Sequence, residues 1–390
     1  MALKAVHVSD VLHLNQVPQM VSPPPSIAVS SCCVGEADET KEALRPAKFL
    51  VIGHRGKGMN RMTPVDARIG AVKENTLVSF NLAGEFPVDF VEFDVQVTRD
   101  GCPIIFHDNF ILTQEDGEII ERRTTELSLE EFLSYGQQRT PRKLGKPLLR
   151  KTKEGTIYNW NVDVDDTFCT LQEAFQNVNS HLGFNVELKF DDGMIYTDEE
   201  LTRVLNVILQ VVSKYADGRP VIFSSFQPDA AQLMRKLQSS YPVFFLTNGG
   251  SEIYKDVRRN SLDEAIKLCL AGGLNGIVSE VKAIFKNPSM IHQIKESNLG
   301  LLTYGQLNNV PEAVYMQHLM GVKGVIVDLV QEITEVVREF ISLDQEEGGK
   351  MRREEEPDGE EVKTKTAERP RFTRREIAFL LKLIPELVQH

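Results

Sequence analysis

Short apolar runs rich in β-forming residues recur eight times along this chain, and most of the gaps between them carry an amphipathic pattern. The runs are Phe49–Ile52, Phe90–Val95, Phe184–Leu188, Val221–Phe223, Val243–Leu246, Gly276–Val278, Leu301–Thr303 and Gly324–Val327. Segments Glu199–Val212, Pro228–Ser239, Leu262–Leu270, Ile291–Ser297 and Val310–Met320 have the spacing of helices with one buried face. Eight strands alternating with helices over ~280 residues predict an α/β fold, a (β/α)8 TIM barrel.

Polar residues end these runs at their C-terminal sides: His54, Glu92 and Asp94, Glu187 and Lys189, Ser224 and Ser225, Ser279 and Glu280, Tyr304, and Asp328. A barrel of this kind carries its chemistry on that face. One charged strand end is commonly a solvated cap; seven converging ends are not explained that way. Glu92 and Asp94 stand at i and i+2, so their carboxylates share one face of a strand. Two such oxygen donors suit a hard divalent cation. An unpaired ExD inside an apolar run is otherwise costly. His54 and His107 arrive from separate segments, and an imidazole exchanges protons near neutrality. Together these residues predict metal-assisted hydrolysis with two imidazoles as proton carriers.

Ile104–His107 is a ninth β-rich run. Asp100-Gly101 is a strong two-residue hairpin signal. With that turn Arg99 faces Cys102, and counting back pairs Asp94 with His107, unless a bulge shifts the register. The ninth run is therefore expected to double back on the second strand and deliver His107 beside the carboxylates; a ninth barrel strand is the alternative. Asp108 alternates away from the face of His107 and is assigned a structural role. Residues 109–182 lack a clear βα repeat and are read as an insertion after the second-strand hairpin, over the mouth of the barrel, as a lid or specificity element.

The remaining segments frame a catalytic barrel over 46–343. Residues 1–45 include Ser22-Pro23-Pro24-Pro25-Ser26 and little periodicity, so disorder is expected. They contain several Ser and few acids through residue 35, and only Lys4 as a base. A plastid transit peptide is taken as the first reading of them, and a cytosolic tail as the alternative. Residues 344–371 form a charged linker, and 372–390 carry an apolar stripe (Ile377, Leu380, Leu381, Ile384, Leu387, Val388) behind a possible Thr373 cap. That helix is expected to dock on the barrel or to meet an unidentified partner. Both flanks are expected to be dispensable for chemistry. A net charge of −12 argues against nucleic acid or an anionic membrane as partner. No apolar stretch reaches the ~20 residues of a transmembrane span. Five scattered cysteines without a CxxC pair indicate neither a zinc site nor a disulfide framework.

The ordered set His54-Arg55, Glu92-Phe93-Asp94 and His107-Asp108 resembles the HR…ExD…HD signature of the glycerophosphodiester phosphodiesterase family, in its plant-type branch. Glu74-Asn75-Thr76, Thr98-Arg99-Asp100-Gly101, Asn185-Val186-Glu187-Leu188-Lys189, Ser224-Ser225-Phe226 and Gly324–Asp328 match in the same order, so the likeness covers about 49–340. It implies hydrolysis of glycerophosphodiesters to sn-glycerol 3-phosphate and an alcohol, as a step of glycerol and lipid metabolism. Mg2+ or Ca2+ would be the cofactor. The glycerol 2-hydroxyl would attack phosphorus, giving a cyclic phosphate that water opens.

The resemblance places Glu187 with Glu92 and Asp94 as a metal ligand, and His54 and His107 as acid and base. Arg55 would bind a phosphate oxygen through its planar fork. Lys189, on the face of Glu187, would offset phosphoryl charge. Glu74 would orient Arg55 or the glycerol hydroxyls. Tyr304 departs from a Trp common in the family and would keep an aromatic wall against the glycerol. Two other readings use the same residues: a lysophospholipase D acting on a diester with one acyl chain, and a phosphodiester-binding protein without activity.

Overall fold

Eight parallel strands close on themselves in the computed structural model of the chain, which describes residues 48–60, 71–140, 142–152 and 154–339. In chain order the strands are β1 (Leu50–Gly53), β2 (Phe90–Val97), β3 (Pro103–Ile105), β4 (Phe110–Glu115), β5 (Glu118–Arg123), β6 (Leu149–Lys151), β7 (Ile157–Asn159), β8 (Gly183–Leu188), β9 (Val221–Ser225), β10 (Val243–Thr247), β11 (Gly276–Glu280), β12 (Gly300–Tyr304) and β13 (Gly324–Val327). The helices are α1 (Leu77–Ala83), α2 (Leu129–Leu133), α3 (Leu171–Asn177), α4 (Asp198–Tyr215), α5 (Pro228–Leu237), α6 (Leu262–Gly272), α7 (Val281–Lys286), α8 (Ser289–Glu296) and α9 (Pro311–Met320). A further helix runs over residues 330–339. The expected tail, linker and terminal helix (1–45, 344–371 and 372–390) lie outside the described residues.

The barrel order is β1-β13-β12-β11-β10-β9-β8-β2, and β2 pairs back with β1 through Ile52–Phe90 and Gly53–Val91. Every neighbouring pair in it is parallel. Alternation then sorts the side chains. Ile52, Ile222, Phe244, Leu246, Val278, Leu302 and Ile326 fill the barrel interior. The odd partners, such as Val91, Phe93, Val95 and Phe245, pack outward against the helices. The floor depends on small-for-large matching. A Cβ on Gly276 would sit 2.3 Å from the Phe244 ring, and one on Gly183 would sit 2.3 Å from the ring of Phe90.

Helix α4 shows how the outer layer forms. Thr197 caps it, with Thr197 Oγ1 and the Glu200 carboxylate completing a reciprocal capping box. Leu201, Leu205, Ile208 and Val212 make its buried stripe, each contributing about 1.5–3 kcal/mol by leaving water. The predicted boundaries of α4, α5, α6, α8 and α9 fall within a few residues of those observed. Helices α1, α3 and α7 are short and were not read from the sequence: seven residues, seven residues and six residues offer too few turns for a periodic signal.

The hairpin after β2 differs from its expectation. Thr98 N–H donates to the Cys102 carbonyl at 3.0 Å, so Arg99-Asp100-Gly101 form a three-residue loop, with Gly101 at φ +81°. The Thr98 hydroxyl bonds Asp100 Oδ1 at 2.6 Å and favours the longer loop. The register shifts by one: Val95 faces Ile105, and Phe106 N–H donates to the Asp94 carbonyl. Strand β3 nonetheless runs antiparallel on β2, as expected, and ends beside the mouth.

The insertion is a second, small antiparallel sheet, β5-β4-β6-β7, with α2 beside it. It has its own core of Phe106, Ile111, Leu127, Phe132, Tyr135, Leu148 and Phe168. Helix α3, although within 109–182, buries Leu171, Ala174 and Phe175 in the barrel's outer core. The inserted sheet therefore ends before Thr170, the capping residue of α3.

Candidate active site

The barrel closes between its first and last strands, and that closure brings together residues 274 positions apart. His54 follows β1, with its backbone N–H on the Val327 carbonyl. Asp328 follows β13. His54 Nδ1 and Asp328 Oδ1 lie 2.8 Å apart. A carboxylate only accepts, so Nδ1 carries the proton and Nε2 is left to exchange one. Asp328 is itself fixed: Oδ1 accepts from Met59 N–H at 3.0 Å and Oδ2 from Asn309 Nδ2 at 2.9 Å. Burial lowers the affinity of His54 for a proton, but Asp328 outweighs it and the pKa is raised. Burial alone would raise Asp328, yet His54 and the bonds from Met59 and Asn309 hold it well below the usual carboxylate range.

His107 lies just past β3 and has the same kind of partner. Its Nδ1 is 2.7 Å from Asp108 Oδ1. Asp108, assigned a structural role from strand alternation, instead orients the imidazole. The strand ends at Ile105, so the alternation that turned Asp108 away does not extend to it. His107 has a lowered pKa: burial penalises the cation, and Arg55 and Lys189 add repulsion.

Glu92 and Asp94 from β2 meet Glu187 from β8, each offering an oxygen within 4.8 Å of the others. The register makes this unavoidable, because Asp94 pairs with Glu187 across adjacent strands. Glu92 Oε1 and Asp94 Oδ1 are buried without a hydrogen-bond partner. Two orphaned carboxylate oxygens in an all-oxygen set fit a hard divalent cation, whose opposite ligands stand up to ~5 Å apart. In the bare protein the pKa of Glu92 is pushed up to about 8 by burial and the Asp94 charge. Asp94 is held low in spite of burial, by His107, Arg55 and Lys189.

The cationic residues tie this cluster together. Arg55 adopts φ +51°, which turns its backbone N–H onto Glu92 Oε2 at 2.9 Å. Next to it Gly56 (φ +92°) passes so near Ser79 that a Cβ would sit 2.4 Å from the hydroxyl. Arg55 Nη1 donates to Glu74 Oε1 at 2.8 Å, and Nε is 3.4 Å from Asp94 Oδ2. One side of its fork is thus hydrogen-bonded to a carboxylate, while Nε, buried without a hydrogen-bond partner, faces Asp94 as an ion pair. Glu74 is 1 % exposed. Burial opposes its charge, and Arg150 and Arg55 hold its pKa down. Lys189 Nζ stands 3.0 Å from Glu187 Oε1 and 3.6 Å from Asp94 Oδ1. Asn75, from the Glu74-Asn75-Thr76 segment, donates 2.8 Å to Asp94 Oδ2.

A cavity of about 500 Å3 opens beside the cluster, between the inserted sheet and the barrel mouth. His107, Glu187, Lys189 and Arg150 line its polar side; Phe110 and Phe226 line its apolar side. Tyr304 packs on the barrel-interior cluster at the mouth. Its hydroxyl bonds Asn248 and its ring meets Phe226 at 6.0 Å and 88°, and both of those residues line the cavity. Asp328, Asn309 and Arg150 were not read as site residues. The strand-end rule pointed to Asp328. No local signal marks Arg150, because its partners come from three distant segments.

A family model of the glycerophosphoryl diester phosphodiesterase family matches residues 54–332. The chain belongs to that family. It is accordingly an enzyme, a phosphodiesterase. A protein of Arabidopsis thaliana named glycerophosphodiester phosphodiesterase GDPD1, chloroplastic, is 57% identical over 391 residues, covering 100% of both chains. Glycerophosphodiester phosphodiesterase GDPD2 of the same plant is 53% identical, again over 100% of both chains. Among solved structures, a glycerophosphoryl diester phosphodiesterase from Silicibacter pomeroyi shares the fold at a TM-score of 0.56 and 20% identity, over 76% of this chain and 95% of that one. No helix among the described residues is long and apolar enough to cross a membrane.

Proposed function

We propose that this phosphodiesterase hydrolyses glycerophosphodiesters to sn-glycerol 3-phosphate and an alcohol, with Glu92, Asp94 and Glu187 holding one Mg2+ or Ca2+ and His54 and His107 carrying the protons. The observation that supports this reading is the pairing of two imidazoles, each backed at Nδ1 by a carboxylate, with a three-carboxylate cluster that leaves two buried oxygens open. Binding alone requires neither proton carriers nor a complete oxygen cage. When bound, the cation would polarise a phosphoryl oxygen and offset the negative charge of the substrate.

The rest falls to the chain's own groups. One imidazole Nε2 takes the proton of the attacking glycerol 2-hydroxyl, and the other gives a proton to the departing alcohol oxygen. Water then opens the cyclic phosphate with the roles reversed. Lys189 meets the phosphoryl charge, and Arg55 keeps Glu92 and Asp94 in place through its N–H and guanidinium. The cavity beside His107 takes the alcohol portion.

Purified protein should release sn-glycerol 3-phosphate from glycerophosphocholine and lose that activity in excess EDTA, with Mg2+ or Ca2+ restoring it. Preferential cleavage of lysophosphatidylcholine would shift the reading to a lysophospholipase D. Full activity after verified metal loss would remove the cation from it. We also place the protein in the plastid, on the Ser-rich, acid-poor stretch through residue 35 and on the name of the chloroplastic relative. A full-length fluorescent fusion that stays in the cytosol would overturn that placement.

A further inference from the structure

Two carboxylates orient the Arg55 and His107 side chains, and one residue of the inserted sheet touches both carboxylates. Arg150, in β6, donates through Nη2 to Glu74 Oε1, the oxygen that Arg55 also uses. Its Nε lies 3.2 Å from Asp108 Oδ2 as an ion pair, while Asp108 Oδ1 holds His107. Its Nη1 donates 2.9 Å to the Asn60 carbonyl, in the loop after β1, and the guanidinium lies 3.8 Å over the Trp160 ring. Arg150 is 6 % exposed. Glu74 is buried and Asp108 half-buried, and the Arg150 guanidinium stands against both carboxylates, offsetting their mutual repulsion. A planar fork reaches both at once; an ammonium does not.

We propose that Arg150 is a positioning residue for the hydrolysis: through Asp108 it fixes the His107 imidazole, and through Glu74 it fixes Arg55, so the inserted sheet assembles half of the site. This rests on the reading of His107 given above. Without Arg150, Asp108 loses its second anchor, and His107 loses the fixed Nδ1–H that aims Nε2 at the substrate.

The test compares Arg150→Ala, Arg150→Lys, Asp108→Asn and the Arg150→Ala/Asp108→Asn pair in the full chain with saturating Mg2+ and glycerophosphocholine. Each single variant should lose about 10- to 100-fold in kcat with a smaller change in KM. The pair should lose less than the product of the single losses, because both act on one imidazole. Added methylguanidinium should restore part of the kcat of Arg150→Ala. Nitrogen-15 spectra of the imidazoles should show His107 changing from one tautomer to a mixture in Arg150→Ala, while His54, held by Asp328, keeps its own. Wild-type kcat in Arg150→Lys, multiplying losses in the pair, or an unchanged His107 tautomer would each overturn the proposal. Where Arg150→Ala does not fold, Arg150→Lys decides by kcat and tautomer alone. If the wild-type protein leaves glycerophosphocholine intact, the functional reading fails, and the imidazole spectra still decide the role of Arg150.

Discussion

The two histidines of this site are held by different parts of the molecule. His54 is seated by barrel parts: strand β1 carries it, strand β13 delivers Asp328, and Asn309 steadies that carboxylate. His107 is carried by a hairpin that leaves the barrel, and Asp108 is steadied by Arg150 from the inserted sheet. The barrel half is over-determined, because strand pairing on both sides of β1 leaves the backbone no other course. The inserted half depends on a smaller core, in which Phe106, directly before His107, packs on Phe132 and Phe168. Similar acid-imidazole geometry thus stands on supports of unequal size.

Removing the imidazoles gives the largest expected effect and tests whether the halves are equivalent in chemistry. His54→Ala and His107→Ala should each lower kcat by at least ~10^2 with folding intact. A variant at either position that keeps wild-type turnover would end the symmetry and remove that histidine from the reaction.

A core substitution in each half comes next. Phe132 and Phe245 are both fully buried, one in the inserted core and one in the barrel's outer layer. Each change to Ala should cost about 3–5 kcal/mol in chemical unfolding. Phe132→Ala should also lower kcat per folded molecule, since Phe106 and His107 lose their backing. Phe245→Ala should leave kcat unchanged. Equal kcat effects would show that the two supports are not separable.

The smallest effect concerns the carboxylates between the halves. The carboxyl of Glu92 rises from an ordinary 4.5 to about 8 in the metal-free fold. A raised pKa means that its contribution to stability is complete below pH 4.5 and is lost as pH rises through about 8. A cation that replaces the proton should reverse this dependence. Metal affinity should climb by up to ~tenfold per pH unit below that value and level off above it. Calorimetry in buffers of different ionisation heat should register about one proton released per ion at pH 7; no release would show that Glu92 is already ionised before the ion binds, or that the ion binds elsewhere.

Most of the barrel was legible in the chain because its signal is local and periodic. The apolar, β-rich run Phe90–Val95 marks a buried strand, the stripe of α4 marks its buried face, and the i, i+2 spacing of Glu92 and Asp94 states a shared face. The strand-end carboxylates and His54 were found by the same rule. The hairpin after β2 was legible as a turn but not in its length, because the Thr98 hydroxyl bond that favours three loop residues is a side-chain choice. The side on which Asp108 lies was not legible, because strand alternation stops at Ile105 and Asp108 turns back to His107.

The sequence by itself therefore determined the number of barrel strands and the face that bears the polar residues, and it singled out the carboxylates and imidazoles that the fold brings together there. Periodicity and spacing are properties of neighbouring residues. Only the tertiary structure decided which donors have keepers. Asp328 reaches His54 because β13 pairs with β1, and Arg150 reaches Glu74 and Asp108 because an inserted sheet folds over the mouth. Those contacts span 274 residues in one case and 76 in the other. They are set by the closure of the barrel and by burial, which makes an unpaired carboxylate too costly to leave without a partner.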